Sequence, residues 1–229
     1  MDAWTTNTVQ AADRVSAFLW KVYGWMAVGL GLTAVVAFAV AGSPEILRTL
    51  VGNRLVFFGL VIAELGLVFY LSARADRMAP GTAAGLFTLY SALNGVTLSV
   101  VLLAYTGESL TTTFVVTAGM FGALALFGST TKRSLAGAGQ FFMMGLVGLI
   151  LASIVGVFWH SDALQFLISV VGVIVFTGLT AWDAQRLKQM ALALPAGQAG
   201  AYAIVGALSL YLDFINLFLM LLRFTGRRN

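Results

Sequence analysis

The stretch Ala207-Leu-Ser-Leu-Tyr-Leu-Asp213-Phe-Ile-Asn216-Leu-Phe-Leu-Met220 is a run of apolar residues with a carboxylate at its centre. A second such run, Ile174-Val-Phe-Thr-Gly-Leu-Thr-Ala-Trp-Asp183, lies one element earlier. An ionised, unpaired carboxylate inside a membrane costs several kcal/mol, so residues of this kind mark ion or proton chemistry more often than accident. These aspartates are the first candidates for a functional site.

Composition makes the runs membrane spans. Hydrophobic residues are 60% of the 229 and charged residues 10%, against roughly a quarter charged in a soluble domain, and the mean hydropathy is +0.95. A helix needs about 20 apolar residues to cross a hydrocarbon core of ~30 Å. Seven stretches qualify: 22–41, 55–73, 81–105, 111–128, 139–159, 164–182 and 201–222. Each is continuously apolar and lacks the ten-residue alternation of a barrel strand. The expected fold is therefore all-α, a polytopic membrane protein of seven transmembrane helices. Residues 1–15 read as a flexible N-terminal tail and 16–229 as the transmembrane domain. Short polar connections leave no room for a soluble domain, so activity must reside in the bundle.

The first apolar run is longer than a signal-peptide core and follows Asp2 and Asp13, which reads as a retained helix. With the N-terminus inside, the inner segments hold Arg14, Lys21, Arg74, Arg77, Lys132, Arg133, Arg186 and Lys188. The outer ones hold Arg48, Arg54, Arg223, Arg227 and Arg228. Eight cations against five place the N-terminus in the cytoplasm. Loop charges of this kind account for the pI of about 9.7 without a nucleic-acid partner. Most of the 25 glycines read as small residues that let helices approach. The short tails and Ala/Gly/Val-rich spans suggest a bacterial inner membrane.

There is no cysteine, which excludes disulfides and thiolate chemistry. The single histidine, His160 beside Asp162, reads as a solvated loop residue and leaves no histidine cluster for zinc. The remaining ionisable candidates are Glu64 in the second span, Arg74 and Arg77 at its end, Asp183, Asp213 and Arg223. In an antiparallel hairpin, residues equidistant from the turn share a depth. The midpoint of Asp183 and Asp213 is residue 198, inside the breaker Pro195-Ala-Gly-Gln-Ala-Gly200, so the two carboxylates can face each other. Two carboxylates in contact in a low dielectric cannot both ionise cheaply; they share a proton and titrate as a pair. Loss of that proton creates repulsion and an anionic hard-oxygen site suited to Ca²⁺, with Asp183 and Asp213 as its metal-binding residues. The alternative is that each aspartate is satisfied separately, as structural glue. Arg74 or Arg77 is a candidate partner for Asp183, and Glu64 and Arg223 are candidates for a second ion pair.

The run Ser209-Leu-Tyr-Leu-Asp-Phe-Ile-Asn-Leu-Phe-Leu-Met-Leu-Leu-Arg-Phe224 closely resembles the last helix of the Bax inhibitor-1 family, the transmembrane BAX inhibitor motif proteins. Asp183 in a sixth helix, Glu64 in a second helix before a basic cluster, and Tyr90-Ser-Ala-Leu-Asn-Gly95 in a third extend the resemblance over essentially the whole chain. It implies seven helices with the seventh near the centre, and a pH-sensitive Ca²⁺ leak across the membrane. By the same resemblance Asp183 and Asp213 correspond to a di-aspartyl pH sensor, and Glu64 with Arg223 to a second ion pair. The family's span-two arginine falls at Ala75 by ungapped counting from Glu64, so Arg74 or Arg77 must take its place.

These readings converge on a membrane channel with no enzymatic activity and no cofactor beyond permeating or bound Ca²⁺. Its partners are the lipid bilayer, Ca²⁺ and protons. Tyr211, Phe214 and Phe218 are candidates for plugging the path, or plain core residues. A rival reading is a regulatory partner of a membrane protease, engaged through the N-terminal tail. A remote one is an intramembrane aspartyl protease, whose two aspartates would share a proton; the Gly-x-Gly-Asp and Pro-Ala-Leu motifs of that class are absent.

Overall fold

The computed structural model describes residues 3–159, 161–195 and 199–229. His160 lies outside them, as do residues 196–198 of the expected breaker. Eight helices follow in order: α1 (Ala3–Ala41), α2 (Pro44–Gly52), α3 (Arg54–Ala73), α4 (Pro80–Ala104), α5 (Gly107–Thr130), α6 (Ala136–Phe158), α7 (Asp162–Ala193) and α8 (Ala199–Thr225). Seven of these, all but α2, are long and apolar enough to cross a membrane. Among the described residues the only β pairing is an isolated bridge between Tyr105 and Arg228. The protein is an all-α polytopic membrane protein, and its outward apolar side chains, such as Ile62, Phe69, Leu126 and Met144, are of the kind lipid tails cover.

Local chemistry sets the helix limits. Asn53 caps α3 by accepting from Leu55 N at 3.0 Å and Val56 N at 3.4 Å. Thr106 caps α5 through Ser109 N, each cap answering an otherwise unpaired amide. Pro44 and Pro80 open α2 and α4, where their missing N–H costs nothing. α7 stops two residues before Pro195. α2, which has nine residues, is too short to span and so leaves no hydropathy signal of the kind that finds spans.

Two expectations change. Residues 3–15, expected as a flexible tail, form the first turns of α1. They contain neither Pro nor Gly, so nothing stops the helix from running on. At 39 residues α1 is about 58 Å long, nearly twice the hydrocarbon thickness. Arg14 donates to the Leu194 carbonyl at 2.8 Å, a basic side chain on a carbonyl just past the end of α7. Second, residues 16–229, read as one transmembrane domain, divide by packing into two compact units. One comprises Met1–Ala104 with Gln189–Tyr211 and the other Tyr105–Lys188 with Leu212–Asn229.

In the first unit α1 packs closely on α4. A Cβ on Gly95 would lie 2.7 Å from the Thr33 carbonyl oxygen and 2.8 Å from the Val36 Cβ, so only glycine permits this approach. In the second unit a buried cluster of Leu149, Ile168, Val175, Phe176, Leu179, Leu217 and Leu221 joins α6, α7 and α8. α8 is the most deeply buried span: half of its most apolar stretch is buried, against 11% in α3 and α6.

Gly95→Leu is expected to lower the thermal unfolding midpoint in detergent, with an overpacking cost of about 1–3 kcal/mol. Gly31→Leu, on the same pair of helices but with nothing within 4 Å of the added Cβ, is expected to leave the midpoint unchanged. Equal effects would mean that the α1–α4 approach is not set by glycine.

Candidate functional site

Asp183 and Asp213 both belong to the second unit. The C-terminal half of α7, which carries Asp183, is fixed by polar contacts to the α5–α6 connection. Gln185 Oε1 accepts from Leu135 N at 2.8 Å and Gln185 Nε2 donates to the Arg133 carbonyl at 2.8 Å. Lys188 Nζ donates to the Ser129 carbonyl at 2.7 Å. Two glycines let neighbours close in from α5 and α6: a Cβ on Gly128 would collide with the Ala181 carbonyl, and one on Gly139 with the Trp182 ring. α8, which carries Asp213, is held by aromatic edges, with Phe214 at 5.5 Å between ring centroids from both Phe114 and Phe121.

Within this frame the two aspartates are buried, at 9% and 6% exposure, and Asp213 feels the charge of Asp183. Asp183 Oδ1 and Asp213 Oδ2 have no hydrogen-bond partner. Native structures leave few buried polar side-chain atoms unpaired, so two at neighbouring carboxylates are a distinctive arrangement. The nearby cation is Arg186, one turn on in α7, with Nη1 at 3.8 Å from Asp183 Oδ1. That distance is an ion pair and not a hydrogen bond. The guanidinium also lies over the Trp182 ring, 5.5 Å from its centroid, and the side chain is half exposed. It is therefore loosely held and shared between a carboxylate and an aromatic face.

Within the second unit the arginine beside Asp183 is Arg186; Arg74 and Arg77, the candidates from the sequence, belong to the first unit. α3 ends at Ala73, which puts both of those residues in the following turn. There Arg77 pairs with Asp76 at 3.4 Å and Arg74 lies over Tyr70 at 5.7 Å. Arg186 was legible as the i+3 neighbour of Asp183. Of the candidate pair Glu64 and Arg223, the first belongs to the first unit and the second to the second. Glu64 Oε2 accepts from Asn94 Nδ2 at 3.1 Å and Oε1 from Thr97 Oγ1 at 2.5 Å. Arg223 is exposed in the last turn of α8, where a cation complements the helix dipole.

Of the aromatic candidates, Phe214 and Phe218 pack edge-on against Phe114, an ordinary aromatic arrangement, with Phe214 buried and Phe114 half exposed. Tyr211 is fully buried and directs its hydroxyl to Asn94 Oδ1 at 2.9 Å. Among the described residues no group of three acidic, histidine or cysteine side chains comes together. Two carboxylates supply at most four oxygens, whereas Ca²⁺ takes six to eight, so the aspartates offer part of a coordination shell and not a cage.

A family model described as inhibitor of apoptosis-promoting Bax1 matches residues 15–229. The chain belongs to the Bax inhibitor family. It is 49% identical over 225 residues to the inner membrane protein YbhL of Escherichia coli K12, covering 97% of this chain and 96% of that one. An uncharacterized protein of Borreliella burgdorferi is 44% identical, with 92% of each chain covered. Another, of Deinococcus radiodurans, is 43% identical, with 95% and 93% covered.

Asp213→Asn tests whether this aspartate is structural glue. The amide keeps the shape and removes a buried charge that lacks a hydrogen-bond partner at Oδ2, so near neutral pH the variant is expected to unfold at the same temperature as the parent or higher. A stabilising carboxylate would instead show a loss of about 1–3 kcal/mol, seen as a lower midpoint.

Proposed function

We propose that this member of the Bax inhibitor family is a pH-sensitive Ca²⁺ leak channel of a bacterial inner membrane, its N-terminus in the cytoplasm. The inner-membrane location rests on the similarity to YbhL, and the orientation on the excess of Lys and Arg in alternate connections. The observation that carries the reading is the pair of buried carboxylates, each with an oxygen that has no hydrogen-bond partner. A proton shared between them satisfies both oxygens and holds α7 and α8 together. When it leaves, two like charges oppose each other in a low dielectric, and the helices gain a reason to part.

The same event prepares the path for a cation. Two ionised carboxylates attract Ca²⁺, yet supply too few oxygens to trap it; conduction needs binding strong enough to enter and weak enough to leave. Arg186 tunes the balance. Held at 3.8 Å and shared with Trp182, it can offset one carboxylate in the closed state and swing away without breaking a close hydrogen bond.

The test is Ca²⁺ flux into liposomes carrying the purified protein, stepped from about pH 6 to 8, so that any raised titration of the pair is sampled. Flux is expected to rise with pH in the parent and to lose its pH dependence in Asp213→Asn. Absence of flux in both proteins, or the same pH response in both, overturns the gate and favours a role as a regulatory partner of a membrane protease.

A further inference from the structure

The first unit contains a buried carboxylate of its own, Glu64, set in a continuous line of polar contacts through four helices. Its Oε2 faces Asn94 Nδ2 at 3.1 Å; Asn94 Oδ1 faces the Tyr211 hydroxyl at 2.9 Å. That hydroxyl faces Thr33 Oγ1 at 2.7 Å, and Thr33 Oγ1 faces the Ser91 carbonyl at 2.8 Å. Thr97 Oγ1 holds the other carboxyl oxygen. Glu64, Asn94, Tyr211, Thr33 and Ser91 are all buried, and none of the groups in the line is a cation.

Counting protons exposes a deficit when Glu64 is ionised. Four contacts link Glu64 to the Ser91 carbonyl. With Asn94 Nδ2 donating to Glu64 and the Tyr211 hydroxyl donating to Asn94 Oδ1, Thr33 has one proton for two contacts, since a hydroxyl donates once. Two oxygens then meet at 2.7 or 2.8 Å with no hydrogen between them. Turning the Asn94 amide over, a choice made by the hydrogen-bond network and not by atom positions, moves the deficit without removing it. The bare carboxylate would then face the Asn94 carbonyl oxygen.

One arrangement satisfies every contact. With a proton on Glu64 Oε2 and the Asn94 amide reversed, Glu64 donates to Asn94 Oδ1, and Asn94 Nδ2 donates to the Tyr211 oxygen. Tyr211 then donates to Thr33, and Thr33 to the Ser91 carbonyl. Thr97 still donates to Glu64 Oε1, now the carbonyl oxygen of the acid. We infer that Glu64 is a proton-binding site, occupied at neutral pH, whose bound proton sets the direction of a one-way donor line from α3 through α4 and α8 to α1.

The surrounding charges are consistent with a neutral acid. On α3 the cations Arg54 and Arg74 stand ten residues to either side of Glu64, about 15 Å along the axis. α4 carries no charged residue, and the charged residues of α1 are Asp13, Arg14 and Lys21, at least 12 positions before Thr33. α2 carries Glu45 and Arg48, both exposed. α8 contributes no charge up to Tyr211; Asp213 and Arg223 follow it in the chain. The titratable groups that share an electrostatic interaction with Glu64 are the phenols Tyr90 and Tyr211, both neutral donors. Release of the proton requires the Asn94 amide and the Tyr211 hydroxyl to reverse, so an event on α3 is registered by α8.

Infrared spectroscopy of the protein in lipid nanodiscs at pH 7 tests this without reference to ion flux, and so independently of the leak-channel reading. In an Asp183→Asn/Asp213→Asn background, the carbonyl band of a protonated carboxylic acid, shifting in D₂O, is expected to be present. The other described acids, Asp13, Glu45, Asp76, Glu108 and Asp162, are exposed. The band is expected to vanish on adding Glu64→Gln, whose amide can donate to Asn94 and accept from Thr97 as the acid does. Tyr211→Phe, which removes the acceptor for Asn94, is expected to shift the band. No band in the background variant, a band that survives Glu64→Gln, or a band unmoved by Tyr211→Phe overturns the inference. The background measurement stands even where Glu64→Gln fails to fold.

Discussion

Hydrocarbon offers no hydrogen bonds, and every polar group carried into it must find its partner within the protein. That constraint orders this molecule. Serine and threonine hydroxyls turn back to carbonyls of their own helices, as Thr88, Thr117 and Thr180 do. Gln185 uses both ends of its amide on the backbone of the α5–α6 connection. Against that near-complete settlement, the unpaired oxygens of Asp183 and Asp213 gain their meaning. A chain that satisfies a threonine one turn away leaves these two carboxylate oxygens as exceptions to its own rule.

Satisfaction at this level depends on close packing, which glycine makes possible. Gly128 lets α5 reach the carbonyl of Ala181, two residues before Asp183, and Gly139 lets α6 lie under the Trp182 ring. The Trp182 ring in turn supports the Arg186 guanidinium. Side chains larger than hydrogen at these positions would push the neighbouring helices outward and open the carboxylates to other partners. Packing thus does more here than hold the bundle together; it determines which polar groups are left alone.

The spans and the aspartates were legible because each rests on a strong local signal: twenty apolar residues, or a charge inside them. The hairpin arithmetic around residue 198 placed Asp183 and Asp213 at a similar depth, and both are buried. Contacts that depend on helix rotation were not legible. Glu64 meets Asn94 and Thr97, and hydropathy carries no information about which face of α3 turns toward α4. α2 escaped because an amphipathic helix of nine residues resembles a loop to any test of length. Residues 3–15 are helical, and polar residues without Pro or Gly continue a helix readily.

Tyr211 and Asp213 stand two residues apart on α8, and this spacing links the two sets of polar groups. Two residues of α-helix advance about 3 Å and turn about 200°, so the two side chains leave the helix on nearly opposite faces at nearly one depth. A helix that merely glued neighbours together would repeat its polar residues at three or four positions, on one face. α8 instead gives its hydroxyl to the line that begins at Glu64 and its carboxylate to the pair with Asp183.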